Sequence, residues 1–222
     1  MTAGSRQGLF IAVDGIDGAG KSKLIEGLAA FLSARSHDPL ITREPTGDSE
    51  WGRALRRAAK EGRLSKQAEI EHFHRDRLHH IATVIGPALA EGRVVITDRY
   101  VDSTLAYQAD DPAQADELYQ SFVADGVLVP DVTLILCCPI ETGLARAAKR
   151  GGGKMSAFEK SGTLRKASVI FAARRGANYV RIDASGEPEA TLRLALAALA
   201  ERSSLFRAKP AQGTAAGRKT AD

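Results

Sequence analysis

The run Gly15-Ile16-Asp17-Gly18-Ala19-Gly20-Lys21-Ser22 carries the densest chemical signal in the chain. It fits GxxxxGK[ST], in which backbone N–H groups wrap a phosphate, the lysine neutralises β/γ charge and the hydroxyl binds a divalent cation. An apolar strand candidate ends at Val13–Asp14 and an amphipathic helical pattern begins near Lys21. A helix N-terminus placed there adds a favourable dipole. The ligand this chemistry calls for is ATP with Mg²⁺. A second carboxylate, Asp98, ends the run Val94-Val-Ile-Thr-Asp98. Apolar or β-branched residues followed by Asp place an acid at the sheet edge near the metal, so Ser22 and Asp98 are the expected metal ligands.

A phosphate loop alone does not separate kinases from switches or motors. Three arginines narrow the choice: Arg43 in Arg43-Glu44-Pro45, Arg77 after Asp76, and Arg99 in Asp98-Arg99-Tyr100. Each follows a strand candidate or lies on a long helical pattern. Taken singly, an arginine is most often half of a surface ion pair. Three so placed are what an enzyme needs to grip a second, phosphate-bearing substrate, because guanidinium binds phosphate bidentately and stays charged.

The elements that must hold these residues alternate in type. Strand candidates are Leu9–Val13, Leu40–Thr42, Val94–Thr97, Thr133–Cys138 and Tyr179–Ile182. They are short, rich in Val, Ile and Leu, and lack clean alternation, as expected of strands covered on both faces. Helical patterns fall at residues 24–32, 67–90, 116–124, 141–149, 163–174 and 187–201. The order implies an α/β fold with a five-stranded, mainly parallel sheet flanked by helices, its ligands beyond the carboxyl ends of the strands. The glycines of Arg150-Gly-Gly-Gly-Lys154 argue against a rigid helix and for a mobile LID segment.

The 222 residues suffice for one domain, and no apolar run reaches the length of a membrane span. With no secretion signal at the N-terminus, a cytoplasmic location is expected. Adjacent Cys137 and Cys138 read as small hydrophobes of a buried strand in a reducing compartment. Residues 203–222 carry four basic and one acidic residue, which accounts for +3 of the net charge of +4. The division expected is a catalytic domain over 1–202 and a disordered basic tail over 203–222. A nearly neutral core argues against a specific nucleic-acid partner.

Several segments occur together in a recognisable order: Phe10 through Ser22, Thr42-Arg-Glu-Pro-Thr46, Phe73-His-Arg-Asp-Arg77, Thr97-Asp-Arg-Tyr100, Ser103-Thr-Leu-Ala-Tyr-Gln108, Pro130-Asp-Val-Thr133 and Ile182-Asp-Ala-Ser185. Over about residues 8–202 they resemble the successive motifs of bacterial thymidylate kinases. The resemblance implies the P-loop NTPase fold and transfer of the ATP γ-phosphoryl group to dTMP, with a homodimer as the common assembly. It places Asp17 near the acceptor sugar or phosphate, and Arg43, Arg77 and Arg99 on the acceptor monophosphate, beside Glu44. It also implies Phe73 stacked on the pyrimidine, Thr104, Tyr107 and Gln108 lining the base and sugar pocket, and Ala184 and Ser185 by the adenine. Lys21, Asp17, Arg99 and Asp98 form the implied catalytic set, joined by Arg150 and Lys154 from the LID.

The chain departs from the family pattern at three places. Lys154-Met155 stands where such members place Asp-Arg, Cys137 stands where they carry an Asp, and Pro45-Thr46-Gly47 where many have two glycines after the proline. Two further readings stay open at this level. One is a kinase of the same fold acting on a different or modified nucleotide or another small phosphorylated acceptor. The other is a nucleotide-dependent regulatory protein with weak turnover.

Overall fold

The computed structural model describes residues 7–149 and 157–207. Five strands form one sheet: β1 (Leu9–Gly15), β2 (Leu40–Arg43), β3 (Val94–Asp98), β4 (Val132–Cys137) and β5 (Tyr179–Asp183). Their order is β2-β3-β1-β4-β5 and every pairing is parallel. Apolar side chains on both faces of β1, β3 and β4 are buried, so helices must cover both sides and the crossovers force the strands parallel. All five carboxyl ends therefore share one edge. Register places Val13 beside Asp98, and Asp98 beside Arg43.

Nine helices connect the strands among the described residues: α1 (Lys21–Ser33), α2 (Glu50–Glu61), α3 (Lys66–His80), α4 (Gly86–Ala90), α5 (Val101–Gln108), α6 (Pro112–Ala124), α7 (Ile140–Lys149), α8 (Ala157–Ala173) and α9 (Pro188–Arg202). Local chemistry sets several starts. Ser49, Ser65 and Asp111 accept the N–H groups of Gly52, Ala68 and Gln114, and Pro112 and Pro188 occupy first-turn positions where no donor is lost. The expected helix over 67–90 is interrupted by a π-helical turn, Ile81–Ile85. Pro87 follows it, and a proline ring needs extra room at the preceding turn. None of these helices is long and apolar enough to cross a membrane.

Two helices escaped the sequence patterns. In α2, charged residues dominate and its buried contacts come only from Gly52, Leu55 and Ala58. In α5 nearly every side chain is buried, Asp102 included, so no polar face marks the period. Cys137, expected inside the strand, is exposed at its end, and Cys138 is only partly buried.

The boundary expected at 202/203 falls too early. Ser204–Phe206 forms a 3₁₀ turn capped by Ser203, and the buried Phe206 ring stacks on Phe31 at 5.9 Å. Removing that ring exposes a hole against α1 and α9. Phe206→Ala is expected to cost about 3 kcal/mol in urea unfolding. A midpoint equal to wild type would mean that this segment does not belong to the core.

Candidate active site

Three glycines shape the loop between β1 and α1. Gly15, Gly18 and Gly20 adopt φ of 142°, 83° and 100°, conformations that side chains disfavour. The carbonyl of Gly143 in α7 comes so close to Gly18 that a Cβ there would sit 2.0 Å away. The loop is thus clamped from below by α7, while the first turn of α1 opens its N–H groups outward. Lys21 folds back and donates to the carbonyls of Gly15 (2.9 Å) and Ile16 (3.0 Å). Its ammonium pKa is lowered to about 7, first by burial and then by Arg99, against Asp17, Asp98 and Asp14. A phosphate chain in the cradle would restore its charge.

Arg99 faces this lysine from the turn after β3. Its φ of 72° is unusual for a side-chain-bearing residue, and its N–H is tied to the Val13 carbonyl at 3.0 Å. That backbone aims the guanidinium at the Asp17 carboxylate and at Ser103 Oγ (3.2 Å). The Asp17 N–H donates to the Tyr107 hydroxyl at 3.1 Å. Ser103 in turn donates to buried Asp14.

The divalent-metal positions pass a structural test. Asp98 Oδ1, at the end of β3, is buried without a hydrogen-bond partner among the described residues. Such an oxygen is costly unless a cation completes it. The exposed Ser22 begins α1 next to Lys21. Carboxylate and hydroxyl oxygens of this kind suit Mg²⁺, which takes its remaining ligands from phosphate and water.

Beside Arg99 opens a cavity of about 740 Å³. Glu44, Phe73, Arg77, Thr104, Tyr107 and Gln108, all expected at the site, line it together with Asp17 and Arg99. Arg77 is wholly buried, paired through Nε (2.9 Å) and Nη2 (2.7 Å) with Glu44 Oε2, and it donates to Thr104 Oγ1 at 2.9 Å. Its Nη1 has no partner among the described residues. Arg43 ends β2 in register with Asp98 but is exposed and does not line the cavity. Two of the three arginines are brought together; the third stays at the rim.

Thymidylate kinase sequences match this chain across the fold. The thymidylate kinase family model covers residues 13–195. The chain belongs to this family. A thymidylate kinase of Xanthomonas euvesicatoria pv. vesicatoria is 42% identical over 201 residues, spanning 88% of this chain and 86% of the relative. One from Cereibacter sphaeroides is 42% identical over 207 residues, 87% of this chain and 95% of the relative. Thymidylate kinases use ATP and generally a divalent metal.

On the ATP side of this thymidylate kinase fold, α7 is the organiser. Gly143 packs under Asp17, and Arg146, one turn on, donates to the carbonyls of Ala184 (2.8 Å), Ser185 (3.2 Å) and Gly186 (2.8 Å). The loop expected beside the adenine is therefore held from the same helix face as the phosphate cradle. Ala184 is buried within it and Ser185 is exposed. The LID residues Arg150 and Lys154 lie outside the described residues.

Several working residues had no sequence signal. Arg146 and Gly143 belong to no motif. Asp76, noted only as the neighbour of Arg77, accepts the Thr46 N–H (2.8 Å), the Thr46 hydroxyl (2.6 Å) and the Ser49 hydroxyl. It thereby anchors the β2–α2 loop, and Thr46 serves as its handle where many family members have glycine. His80 bridges Glu44 Oε1 (3.2 Å) and Thr42 Oγ1 (2.7 Å), which fixes the far side of the Arg77 pair.

Two measurements test these contacts. A Cβ on residue 143 would lie 2.8 Å from the Asp17 carbonyl. Gly143→Ala should therefore displace the loop and weaken ATP binding by ~1–3 kcal/mol in calorimetry, as overpacking does; unchanged affinity would refute the clamp. Asp14 has its carboxyl pushed up from 3.8 to about 6, by burial and then Asp102, against Ser103, Arg99 and Lys21. Its neutral form is the one the folded state prefers, so its contribution is full below pH 3.8 and is lost as pH rises through 6, by about 3 kcal/mol. Thermal melts without nucleotide should show Asp14→Asn gaining on wild type between pH 4 and 8; parallel profiles would contradict this.

Proposed function

We propose that this chain transfers the γ-phosphoryl group of ATP to dTMP, giving dTDP and ADP. The observation that carries the reading is the change in character along the cavity. Asp17 and Arg99 stand at the phosphate-loop end. From there α5 leads away at about 1.5 Å per residue, so that Gln108 lies roughly 10 Å beyond its start, the span of a nucleoside. Part-way along, where Arg77 meets Thr104 in the first turn of α5, its charge is cancelled by Glu44, and its unpartnered Nη1 acts as an N–H donor to a neutral carbonyl. Half-buried Phe73 lies alongside as a surface for a ring to stack on. A pyrimidine with a ring carbonyl beside a ring N–H suits this stretch, and its 5′-phosphate reaches Arg99. This reading divides the arginines that the motifs had grouped: Arg99 for phosphate, Arg77 for base, Arg43 at the entrance.

In the reaction, an oxygen of the acceptor phosphate attacks the γ-phosphorus and the bond to the β,γ-bridging oxygen breaks, releasing ADP. The acceptor oxygen is a competent nucleophile, so alignment and charge carry the catalysis. Lys21 leaves the Gly15 and Ile16 carbonyls for the β/γ-phosphates. Arg99, oriented by Asp17 and Ser103, holds the acceptor phosphate against them. Tyr107 fixes the Asp17 backbone, and Thr104 keeps Arg77 in line. Ser22 and Asp98 would hold Mg²⁺, which supplies charge that neutralises the phosphates when bound. Ala184 and Ser185, braced by Arg146, border the adenine. The same reading puts the protein in the cytoplasm, beside the nucleotide pools.

A coupled ADP-release assay over a panel of nucleoside monophosphates tests the reading, with dTMP expected to give the highest kcat/KM. Turnover of another monophosphate with none of dTMP would overturn it. Arg99→Ala should lower kcat/KM by roughly 10²–10³, and Lys21→Ala should abolish transfer. Unchanged kinetics for the arginine variant would mean that the acceptor phosphate binds elsewhere.

A further inference from the structure

The cavity wall also carries a hydrogen-bonded chain of three side chains, Glu69 and Gln108 buried and Arg63 reaching solvent. Glu69, in the first turn of α3, is 5% exposed. Arg63 grips it with two donors, Nε to Oε1 at 2.9 Å and Nη2 to Oε2. From the other side Gln108 Nε2 donates to Glu69 Oε2 at 2.8 Å. All three residues line the cavity.

The direction of that last hydrogen bond is set by chemistry. Glu69 is the carboxylate half of an ion pair with the Arg63 guanidinium, set in the first turn of α3. An ionised carboxylate only accepts hydrogen bonds. Gln108 must therefore turn its NH₂ toward Glu69, which leaves its carbonyl oxygen as the group it offers to the cavity. A side-chain amide can otherwise present either end at nearly equal cost, so without Glu69 the pocket would lose its polarity at this point.

We propose that Glu69 is a positioning residue that locks the Gln108 amide with its acceptor toward the acceptor nucleotide, so that the pocket demands a hydrogen-bond donor from the base. This rests on the reading above, in which the base occupies the Phe73–Gln108 end. The ring N–H of thymine or uracil meets the demand, whereas cytosine presents a lone pair at the same position and is refused. Glu69 acts without touching the substrate, and Arg63 braces its carboxylate from the other side.

Arg63 Nη2 and Gln108 Nε2 share Glu69 Oε2, so the test must remove that acceptor altogether, as Glu69→Leu does. Gln108 is then free to turn either its carbonyl or its NH₂ to the cavity. The experiment measures kcat/KM of the full-length protein for dTMP, dUMP and dCMP, with thermal melts as a folding control. In Glu69→Leu the dTMP:dCMP ratio should fall about 10-fold or more, because the amide no longer refuses a base that lacks the donor. Arg63→Ala, which leaves the carboxylate in place, should keep the wild-type ratio even if it lowers stability.

An unchanged ratio in folded Glu69→Leu, or equal losses for dTMP and dCMP, would overturn the positioning role. If that variant does not fold, Gln108→Leu serves instead. It should erase the preference among the three pyrimidines, and a retained preference would overturn the proposal. A wild-type protein that itself fails to favour dTMP over dCMP would instead remove the acceptor reading on which the proposal stands.

Discussion

The carboxyl edge of the sheet brings buried Asp14 and Lys21 together with half-buried Asp98 and Arg99, and the rest of the site follows from how that charge is balanced. Burial drives the ammonium of Lys21 toward neutrality and the carboxyl of Asp14 toward protonation. The Arg99 guanidinium keeps its charge because a guanidinium does not deprotonate in this range, and Asp17 sits against it. Two carboxylate oxygens, Asp14 Oδ2 and Asp98 Oδ1, are left without a hydrogen-bond partner among the described residues. An arrangement so finely divided between charged and uncharged forms is completed by ligands that bring their own charge, a polyphosphate for the lysine and a cation for the carboxylate. The parallel sheet makes this possible, because it alone gathers the ends of β1, β2 and β3 side by side.

The neighbouring cavity repeats the same problem one layer out. The inward stripe of α3 runs Glu69, Phe73, Asp76, Arg77, His80, at the spacing where a helix normally carries apolar side chains. Buried polar groups need partners, and here each has a dedicated one. Arg63 holds Glu69, the Thr46–Ser49 loop holds Asp76, and Glu44 joins Arg77 to His80. Every one of these contacts crosses to a different element, so α2, α3, α5 and the loop after β2 are aligned by the groups that line the cavity. Substitution in this stripe would disturb stability and recognition together.

A second tie links α5 to the far side of the molecule. Arg174, 4% exposed at the end of α8, meets Asp102 at 2.7 Å, Asp116, and the Tyr179 hydroxyl at 3.2 Å. Asp102 opens α5, whose later turns carry Thr104, Tyr107 and Gln108. The helix that lines the cavity is thus braced at its N-terminus by charge and at its C-terminus by Glu69.

Much of this was legible before any coordinates. Five apolar runs gave five strands within one or two residues, because a strand buried on both faces is a local property of composition. The phosphate cradle was legible because a tight, left-handed loop tolerates only glycine at set positions. The motif residues Asp17, Phe73, Arg77, Arg99, Thr104, Tyr107 and Gln108 were all named, and all border one cavity. Hidden from the sequence were α2 and α5, where periodicity fails in opposite ways, too polar in one and too buried in the other, and the docking of Phe206. So were the different fates of three alike arginines: Arg77 neutralised in the interior, Arg99 aimed at Asp17, Arg43 exposed at the rim. Residue type and spacing settle what chemistry is on hand and which backbone shapes are allowed, since both are short-range matters. Which carboxylate meets which guanidinium, and which way an amide points, depends on elements far apart in the chain; only packing brings these together, so only the folded structure could decide them.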